Sequence, residues 1–296
     1  MDNPTLIRIG TRGSDLALWQ AHHVKSSLEA LGCLVEIKII QTQGDRIQDL
    51  SFDKLEGKGF FTKEIETELL NGNVDLAVHS HKDLETTPPA GLIIAAVSER
   101  EDPSELLLMR NEAHDPSKKF ELKMNAIIGT SSARRQSLVR TFRNDLKIED
   151  LRGNVPTRIE KLRSGQYDAI LLAKAGVSRL NLDTSDLITL TLDPKEFIPA
   201  PAQGVLGLQV RANDARTFEW VSKLNFLPAE NCIRIEREVL KNMEGGCQLP
   251  LGVYNDGEVV HVSFAKSKQD AAVIIKFPFA HDMNPVAEII ATLKSL

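Results

Sequence analysis

Aromatic residues and cysteines are scarce in this chain of 296 residues. Aromatic side chains make up 5% of the chain and leave few rings on which nucleic-acid bases could stack. The three cysteines cannot form a disulfide framework and are typical of a reducing compartment. The net charge of -5 argues against a general nucleic-acid or membrane-surface binder, which is usually basic.

Long apolar runs are also missing. The longest, residues 92–97, is too short to cross a bilayer, and residues 1–5 have neither the basic nor the apolar stretch of a secretory signal. With 42% hydrophobic and 26% charged residues, the composition is that of an ordinary globular protein. We therefore expect a cytoplasmic protein with no membrane or nucleic-acid partner.

Short apolar strands alternate with amphipathic helices over the first two thirds of the chain. Residues 6–9 predict a strand, and apolar residues spaced three and four apart after Ser14 predict a helix. The same alternation recurs over residues 126–173, which favours α/β layers with mostly parallel sheets. After Asn213, a long helix, short strands and a last helix predict a small α+β domain.

Residues 43–59 form a long polar stretch that we interpret as a functional loop. Its glycine-rich end lacks the spacing and the terminal Ser or Thr of a phosphate-binding loop. A lid that carries Lys54 and Lys58 is the better interpretation, and a solvated linker is the alternative.

Six arginines lie at or near predicted strand-to-helix turns, where open α/β sheets bind ligands. Helix N-termini after Ser14 and Ser132 add backbone donors there. Because guanidinium groups bind carboxylates bidentately, the set predicts a ligand with several carboxylates or phosphates. Any one of these arginines alone is more simply a solvated surface residue. The six are Arg12, Arg134, Arg135, Arg152, Arg158 and Arg179.

Two further features carry candidate chemistry. Asp83 follows Lys82 at the end of a predicted strand and could stabilise a cation or exchange protons, although a surface ion pair is the simpler alternative. The nearby His79 and His81 have no third ligand at a suitable spacing, so no metal is predicted. Cys247 follows two glycines on a tight loop and is a candidate for covalent attachment, whereas Cys33 and Cys232 fit buried structural thiols.

Taken together, the motifs resemble those of porphobilinogen deaminases, in the family's order and over residues 6–250. The motifs are Thr11-Arg12-Gly13-Ser14, Gly57-Lys58-Gly59, His79-Ser80-His81-Lys82-Asp83, Gly129-Thr130-Ser131-Ser132-Ala133-Arg134-Arg135, Leu151-Arg152-Gly153-Asn154, Thr157-Arg158, Gln203-Gly204 and Glu244-Gly245-Gly246-Cys247.

The resemblance implies two α/β domains like those of periplasmic binding proteins, with the active cleft between them, and a small C-terminal α+β domain. Their expected bounds are 1–101 with 200–219, 102–199, and 220–296. It also implies a dipyrromethane cofactor held by a thioether to Cys247. Four porphobilinogen molecules would be condensed on it, with loss of ammonia, into linear hydroxymethylbilane by a monomeric enzyme.

The resemblance further implies a role for each matching position. Asp83 is the expected catalytic carboxylate, with Lys82 beside it. The expected cofactor-binding residues are Cys247, Ser14, Lys82, Asp83, Thr130, Ser132, Arg134, Arg135, Arg152 and Gly153. The expected substrate-binding residues are Arg12, Arg152, Arg158, Arg179, Gln203 and Lys58, and the expected lid residues are Lys54, Lys58, Phe60 and Phe61.

Three positions depart from the family pattern. His81 replaces a usual Met or Leu, Glu56 a frequent glycine, and Lys174 a more usual apolar residue. None removes a catalytic position, but His81 could affect the pH response.

Two other classes of protein are alternatives. A solute-binding protein of the same two-lobed fold explains the arginines, but not Cys247 on a glycine loop. An RNA-binding protein conflicts with the acidic charge and the few aromatic residues.

Overall fold

The computed structural model describes residues 5–42, 62–244, 248–279 and 284–296. The predicted lid residues Lys54, Lys58, Phe60 and Phe61 lie outside the described residues, as do Glu56 and Cys247. The chain divides into two compact units. The first unit is Met1–Glu101 with Gly204–Asn231, and the second is Asp102–Gln203 with Cys232–Leu296.

The first unit is built on a five-stranded sheet. Its strands are β1 (Leu6–Thr11), β2 (Leu34–Ile39), β3 (Leu76–Ser80), β4 (Leu92–Val97) and β10 (Leu206–Arg211). They lie in the order β2-β1-β3-β10-β4. Strand β1 is parallel to β2 and β3, whereas β10 is antiparallel to both of its neighbours. The helices are α1 (Asp15–Ala30), α2 (Lys63–Leu70) and α6 (Ala215–Val221).

The two faces of this sheet are covered by different helices. Helix α1 buries Ala21, Val24 and Leu28 in a cluster that includes Val78 and Leu208. Helix α2 buries Ile65 and Leu69 on the opposite face, beside Ala77. Since side chains alternate along a strand, Gly207 and Gln209 of β10 point to the α2 face. The polar side chain of Gln209 therefore lies between this sheet and α2.

The second unit contains a five-stranded sheet with the same arrangement of parallel and antiparallel strands as the first. Its sheet runs β7-β6-β8-β5-β9, with β6 parallel to β7 and β8 and with β5 antiparallel to both of its neighbours. The strands are β5 (Glu105–Met109), β6 (Ile127–Gly129), β7 (Lys147–Glu149), β8 (Ala169–Ala173) and β9 (Ile188–Leu192). The helices are α3 (Ala133–Phe142), α4 (Val155–Arg163) and α5 (Lys174–Arg179). In both sheets a single antiparallel strand occupies the fourth place, and the predicted mostly parallel sheets are confirmed.

The end of the chain adds a small antiparallel sheet to the second unit. Its strands, in the order given, are β11 (Leu251–Asn255), β12 (Val259–Phe264) and β13 (Val273–Pro278). Helices α7 (Leu227–Asn242) and α8 (Val286–Ser295) share a core with it that includes Val239, Val262 and Ile289. The predicted fold class is confirmed, while the three-domain bounds stay a prediction. No helix within the described ranges is long and apolar enough to cross a membrane.

Candidate active site

The first unit places Arg12 and Ser14 directly after β1. Arg12 is half-buried, and Ser14 is the N-cap of α1. The Ser14 side chain makes no capping hydrogen bond to α1, although its carbonyl accepts from the Leu18 N–H at 2.9 Å. The Ser14 hydroxyl therefore lies at the N-terminus of α1 but does not cap it. This helix N-terminus is a suitable place for an anionic ligand group.

The motif His79-Ser80-His81-Lys82-Asp83 ends β3 and continues as a single 3-10 turn over His81–Asp83. Asp83 is exposed and Lys82 is half-buried, whereas His81 is buried. The His81 N–H donates to the Val205 carbonyl at 2.9 Å, so the turn begins on a fixed backbone contact. Asp83 is thus presented to solvent from a rigid strand end.

Neighbouring side chains hold this turn in place. The Gln20 amide of α1 donates to the Ser80 hydroxyl at 2.8 Å. A Cβ added to Gly207 would lie 2.9 Å from Leu84 Cδ1 and 3.2 Å from His81 Cδ2. Because glycine leaves this space open, the turn folds closely over β10. His81, the departure beside the predicted catalytic stretch, is part of this packing.

In the second unit, two predicted loops are joined by one hydroxyl. Ser131 Oγ donates to the Leu151 carbonyl and accepts from the Leu151 N–H, both at 3.0 Å. This joins the loop that carries Thr130 and Ser132 to the loop that carries Arg152. The N-termini of α3 and α4 are therefore held beside each other at the carboxyl ends of β6 and β7.

Gly153 allows the second of these loops to turn. Its φ is +114°, and a Cβ there would lie 2.7 Å from Thr157 Cγ2, so only glycine fits. The Gly153 carbonyl accepts from Arg158 Nε at 2.8 Å, and the Arg152 carbonyl accepts from Lys161 Nζ at 3.1 Å. Arg152 and Arg158 are half-buried, as is Arg179 at the end of α5. The predicted arginines of this unit are thus placed on a constrained backbone.

Arg134 and Arg135 differ from the other predicted arginines because both are buried and paired. Glu105, with no exposed side-chain surface, accepts from Arg134 Nη2 at 2.5 Å and from Arg135 Nη2 at 2.6 Å. Arg134 Nη1 also donates to the Ile198 carbonyl, and Arg135 Nη1 to the Leu171 carbonyl. Burial lowers the pKa of Arg134, which the Glu105 charge opposes. Sequence reasoning placed these side chains at a turn but missed their carboxylate partner.

The charge balance of this triad bears on the predicted cofactor. Two guanidinium groups share one carboxylate, which leaves an excess buried cation. Among the described residues, Arg135 Nε is a buried donor with no hydrogen-bond partner. A further carboxylate would satisfy both the charge and this donor. The chemistry of the site therefore fits a group that carries carboxylates, and the binding roles of Arg134 and Arg135 stay predictions.

The side chains of Gln203 and Lys174 both bind other groups of the protein. Gln203 is 1% exposed, and its amide donates to the Pro103 carbonyl at 2.7 Å. Lys174 pairs with Asp102 at 2.7 Å. Burial opposes a low pKa for Asp102, but hydrogen bonds from Lys174 and Ser104 outweigh it and hold the pKa below its ordinary value. Substrate binding by Gln203 stays a prediction.

Two buried acidic residues, Glu236 and Glu105, were not predicted from the sequence. Glu236 of α7 accepts from the Ala202 N–H at 2.7 Å and from the Asn255 N–H at 2.9 Å. It lies eleven positions before Cys247 in the chain. An acidic residue within an apolar helical face was the only available signal, and the same signal marked Glu105 at the head of an apolar strand. No group of three or more potential metal-ligating side chains occurs in the described part of the chain.

Comparison with known families decides the identity. The family described as porphobilinogen deaminase, dipyromethane cofactor binding domain, matches residues 7–219, and the family's C-terminal domain matches residues 230–273. The chain belongs to the porphobilinogen deaminase family. Membership confirms the predicted family, the transferase class and the dipyrromethane cofactor, while attachment at Cys247 stays a prediction.

Proteins of this family are also similar over most of their length. The porphobilinogen deaminase of Sulfurimonas denitrificans is 45% identical over 247 residues, which cover 83% of this chain and 77% of that protein. The one from Syntrophobacter fumaroxidans is 44% identical over 249 residues, which cover 83% of this chain and 79% of that protein.

Similar solved structures are more distant. The periplasmic VFT2 domain of BvgS from Bordetella pertussis has a TM-score of 0.45 at 13% identity, with 74% of this chain and 86% of that chain covered. An ancestral amino acid-binding protein, a precursor of cyclohexadienyl dehydratase, has a TM-score of 0.40 at 16% identity, with 74% and 87% covered. Likeness of this extent carries no conclusion about ligand or activity.

Proposed function

We propose that this protein condenses four porphobilinogen molecules, with loss of ammonia, into linear hydroxymethylbilane on a dipyrromethane primer attached to Cys247. The observation that supports the proposal most directly is the Ser131 bridge to Leu151, because it holds together two loops that each lead into a helix N-terminus, and helix N-termini suit carboxylates. When bound, the primer supplies a pyrrole carbon that attacks the activated substrate.

The side chains divide into two tasks. In the second unit, Thr130, Ser132, Arg152, Arg158 and Arg179 bind acetate and propionate groups, since guanidinium groups and backbone N–H groups suit carboxylates. The Glu105 triad with Arg134 and Arg135 adds an excess cation to the same unit. A chain that gains carboxylates with every step needs such a set.

In the first unit, Asp83 stabilises positive charge. Loss of ammonia leaves a cation on the substrate, and an exposed carboxylate on a rigid turn can stabilise it and accept pyrrole N–H groups. Lys82, Arg12 and Ser14 bind the substrate and primer carboxylates on this unit. Gln203, Lys58 and the lid residues Lys54, Phe60 and Phe61 complete the proposed set.

Intact-mass measurement tests the tether. Apoprotein incubated with porphobilinogen is expected to gain one dipyrromethane adduct. The adduct is expected to persist in Cys232→Ala and to be lost in Cys247→Ala, which makes Cys232→Ala a matched control. An adduct that survives in Cys247→Ala would overturn the attachment site. An unmodified but active protein would overturn the tether altogether.

Turnover of an Asp83 variant tests the catalytic role. Asp83→Ala is expected to keep the adduct and to lose about 10²–10⁴-fold in kcat, the usual range for a positioned carboxylate. Glu85→Gln, two positions away, is the control. A loss in kcat below tenfold would contradict a catalytic role for Asp83. Reversible ligand binding with no turnover in the unmodified protein would instead favour a solute-binding protein.

We also propose that the protein is a cytoplasmic monomer. Acidic net charge and sparse cysteines support this placement. Sedimentation velocity at micromolar concentration is expected to give one species near 32.8 kDa, and a concentration-dependent larger species would contradict the monomer.

A further inference from the structure

A chain of buried polar side chains runs between α2 and the strand that ends in the His81–Asp83 turn. The Nε2 atom of the His79 ring lies 3.1 Å from Gln209 Oε1. Gln209 Nε2 donates to Glu66 Oε1 at 3.0 Å, and Thr62 Oγ1 donates to Glu66 Oε2 at 3.4 Å. His79, Gln209 and Glu66 are 5%, 1% and 8% exposed.

The sheet register explains why these side chains meet. His79 is paired with Gly207 across the antiparallel β3 and β10, so Gln209 is its diagonal neighbour on the same face. The His79 ring reaches this diagonal neighbour through Nε2, 3.1 Å from Gln209 Oε1. Glu66 reaches the same amide from α2, which covers that face.

The direction of the chain is fixed by its charged end. A carboxylate accepts hydrogen bonds, so an ionised Glu66 requires the Gln209 NH₂ group to face it. The Gln209 carbonyl then faces His79, and His79 Nε2 must carry the hydrogen. Burial lowers the pKa of His79 to about 4, so the ring is neutral at ordinary pH, with its lone pair on Nδ1.

Charged and titratable groups lie on the elements that pack against this chain. Helix α2 contributes Glu66, whose pKa is raised first by burial and further by Glu85, while Gln209 and Thr62 oppose the rise. Strand β10 contributes Arg211, which pairs with Asp75 at 3.1 Å and with Asp214 at 2.5 Å. The amide of Gln209 separates the Glu66 carboxylate from the imidazole. A carboxylate at position 209 would instead favour a protonated ring.

We propose that Gln209 is a positioning residue that keeps His79 as the neutral Nε2–H tautomer and so holds the Lys82 and Asp83 turn in its active geometry. Strand β3 ends at Ser80 and the turn begins at His81, so no flexible residue absorbs a displacement of His79. A protonated ring would also add a cation near Lys82 and weaken the field that Asp83 supplies. The proposal rests on the proposed role of Asp83.

Nitrogen NMR of ¹⁵N-histidine-labelled holoenzyme tests the tautomer without reference to turnover. His79, assigned by its loss in His79→Gln, is expected to show a protonated Nε2 and an unprotonated Nδ1 from pH 8 to pH 5. A protonated Nδ1, or a doubly protonated ring at pH 7, would overturn the proposal. This measurement stands even if Asp83 proves not to be catalytic.

Two variants test the effect on catalysis. Gln209→Glu faces Glu66 with a second carboxylate and is expected to lower kcat about 10–100-fold with little change in KM, as for a small misplacement of catalytic groups. The double variant Glu66→Gln, Gln209→Glu restores one amide and one carboxylate in reversed order. The double variant is expected to fold and to be more active above pH 7 than Gln209→Glu. It is expected to lose this activity at lower pH as His79 becomes protonated.

The reversed pair separates positioning from simple packing. If Gln209 only fills space, the double variant will have the pH profile of the wild type, and that result would overturn the proposal. Gln269→Glu, on the exposed surface, controls for the added charge and is expected to leave both kcat and the pH profile unchanged. If the double variant does not fold, the wild-type NMR spectrum alone decides.

Discussion

The two five-stranded sheets have the same order but solve the problem of a buried polar residue differently. In each sheet the single antiparallel strand carries one: Gln209 on β10 and Glu105 on β5. Gln209 binds Glu66 of α2, the helix between β2 and β3. Glu105 binds Arg134 of α3, the helix between β6 and β7. The first unit uses a neutral amide between ionisable groups, and the second uses a fully charged triad.

The difference shows that the shared topology fixes where a polar residue can be buried, but not its charge. An amide can satisfy a carboxylate and an imidazole with no net charge of its own. A carboxylate between two guanidinium groups leaves one positive charge over, which costs free energy unless an anion is near. The second unit is therefore the one suited to a ligand rich in carboxylates.

The largest expected effect comes from removing the carboxylate of the charged triad. Glu105→Ala leaves Arg134 and Arg135 as buried cations without their shared partner, and we expect it to lower the free energy of unfolding by about 3–5 kcal/mol. Urea denaturation measures this. Glu112→Ala, which removes an exposed carboxylate 3.4 Å from Arg110, is the control and is expected to cost about 0–1 kcal/mol. Equal losses in the two variants would contradict the importance of burial.

A smaller effect is expected from pH in the first unit. The pKa of His79 is near 4 in the folded protein and near 6.5 when unfolded, so the unfolded state binds the extra proton first as pH falls. Stability is therefore lost between pH 6.5 and pH 4, and we expect this histidine to contribute a loss of about 2 kcal/mol between pH 7 and pH 5.

Comparison with His79→Gln isolates this contribution. Glu66 acts in the opposite direction, because its raised pKa stabilises the folded state as pH falls. Glu66 is present in both proteins, so the difference between their two pH slopes in denaturation reports on His79. Parallel slopes would show that the ring is not held neutral.

The smallest effect is expected at Lys174, which begins α5 directly after β8, the counterpart of β3. Its ion pair with Asp102 is about one third exposed on each side, so Lys174→Met is expected to cost no more than about 1 kcal/mol. Thermal denaturation with a parallel turnover assay checks this. A tenfold loss of turnover would instead give this departure from the family pattern a role in catalysis.

Much of the fold followed from local sequence patterns. The helix predicted from the apolar spacing after Ser14 and the strand predicted over residues 6–9 were correctly placed, since each element buries regularly spaced apolar residues. Strand β9 was missed because its pattern is short and half-exposed. Strand β11 begins directly after Pro250, where no alternating apolar pattern predicted a separate strand.

The site was less accessible from sequence than the fold. Glycines and hydroxyl residues at strand ends predicted the loops at Ser14, Ser132 and Gly153, because their backbone requirements are local. Pairings such as Glu105 with Arg134 join residues 29 positions apart, and Gln209 with Glu66 join residues 143 apart. No local pattern encodes which buried polar groups will meet across such distances.

Glu236 holds two separate stretches of main chain in the second unit. Its two carboxylate oxygens accept from the backbone before Gln203 and from the end of β11, and its helix ends five residues before position 247. Since both partners are main-chain groups, no side-chain change at Ala202 or Asn255 removes either hydrogen bond. Loss of the single carboxylate at position 236 would release both hydrogen bonds at once, so two stretches of main chain that are far apart in the sequence depend on one side chain.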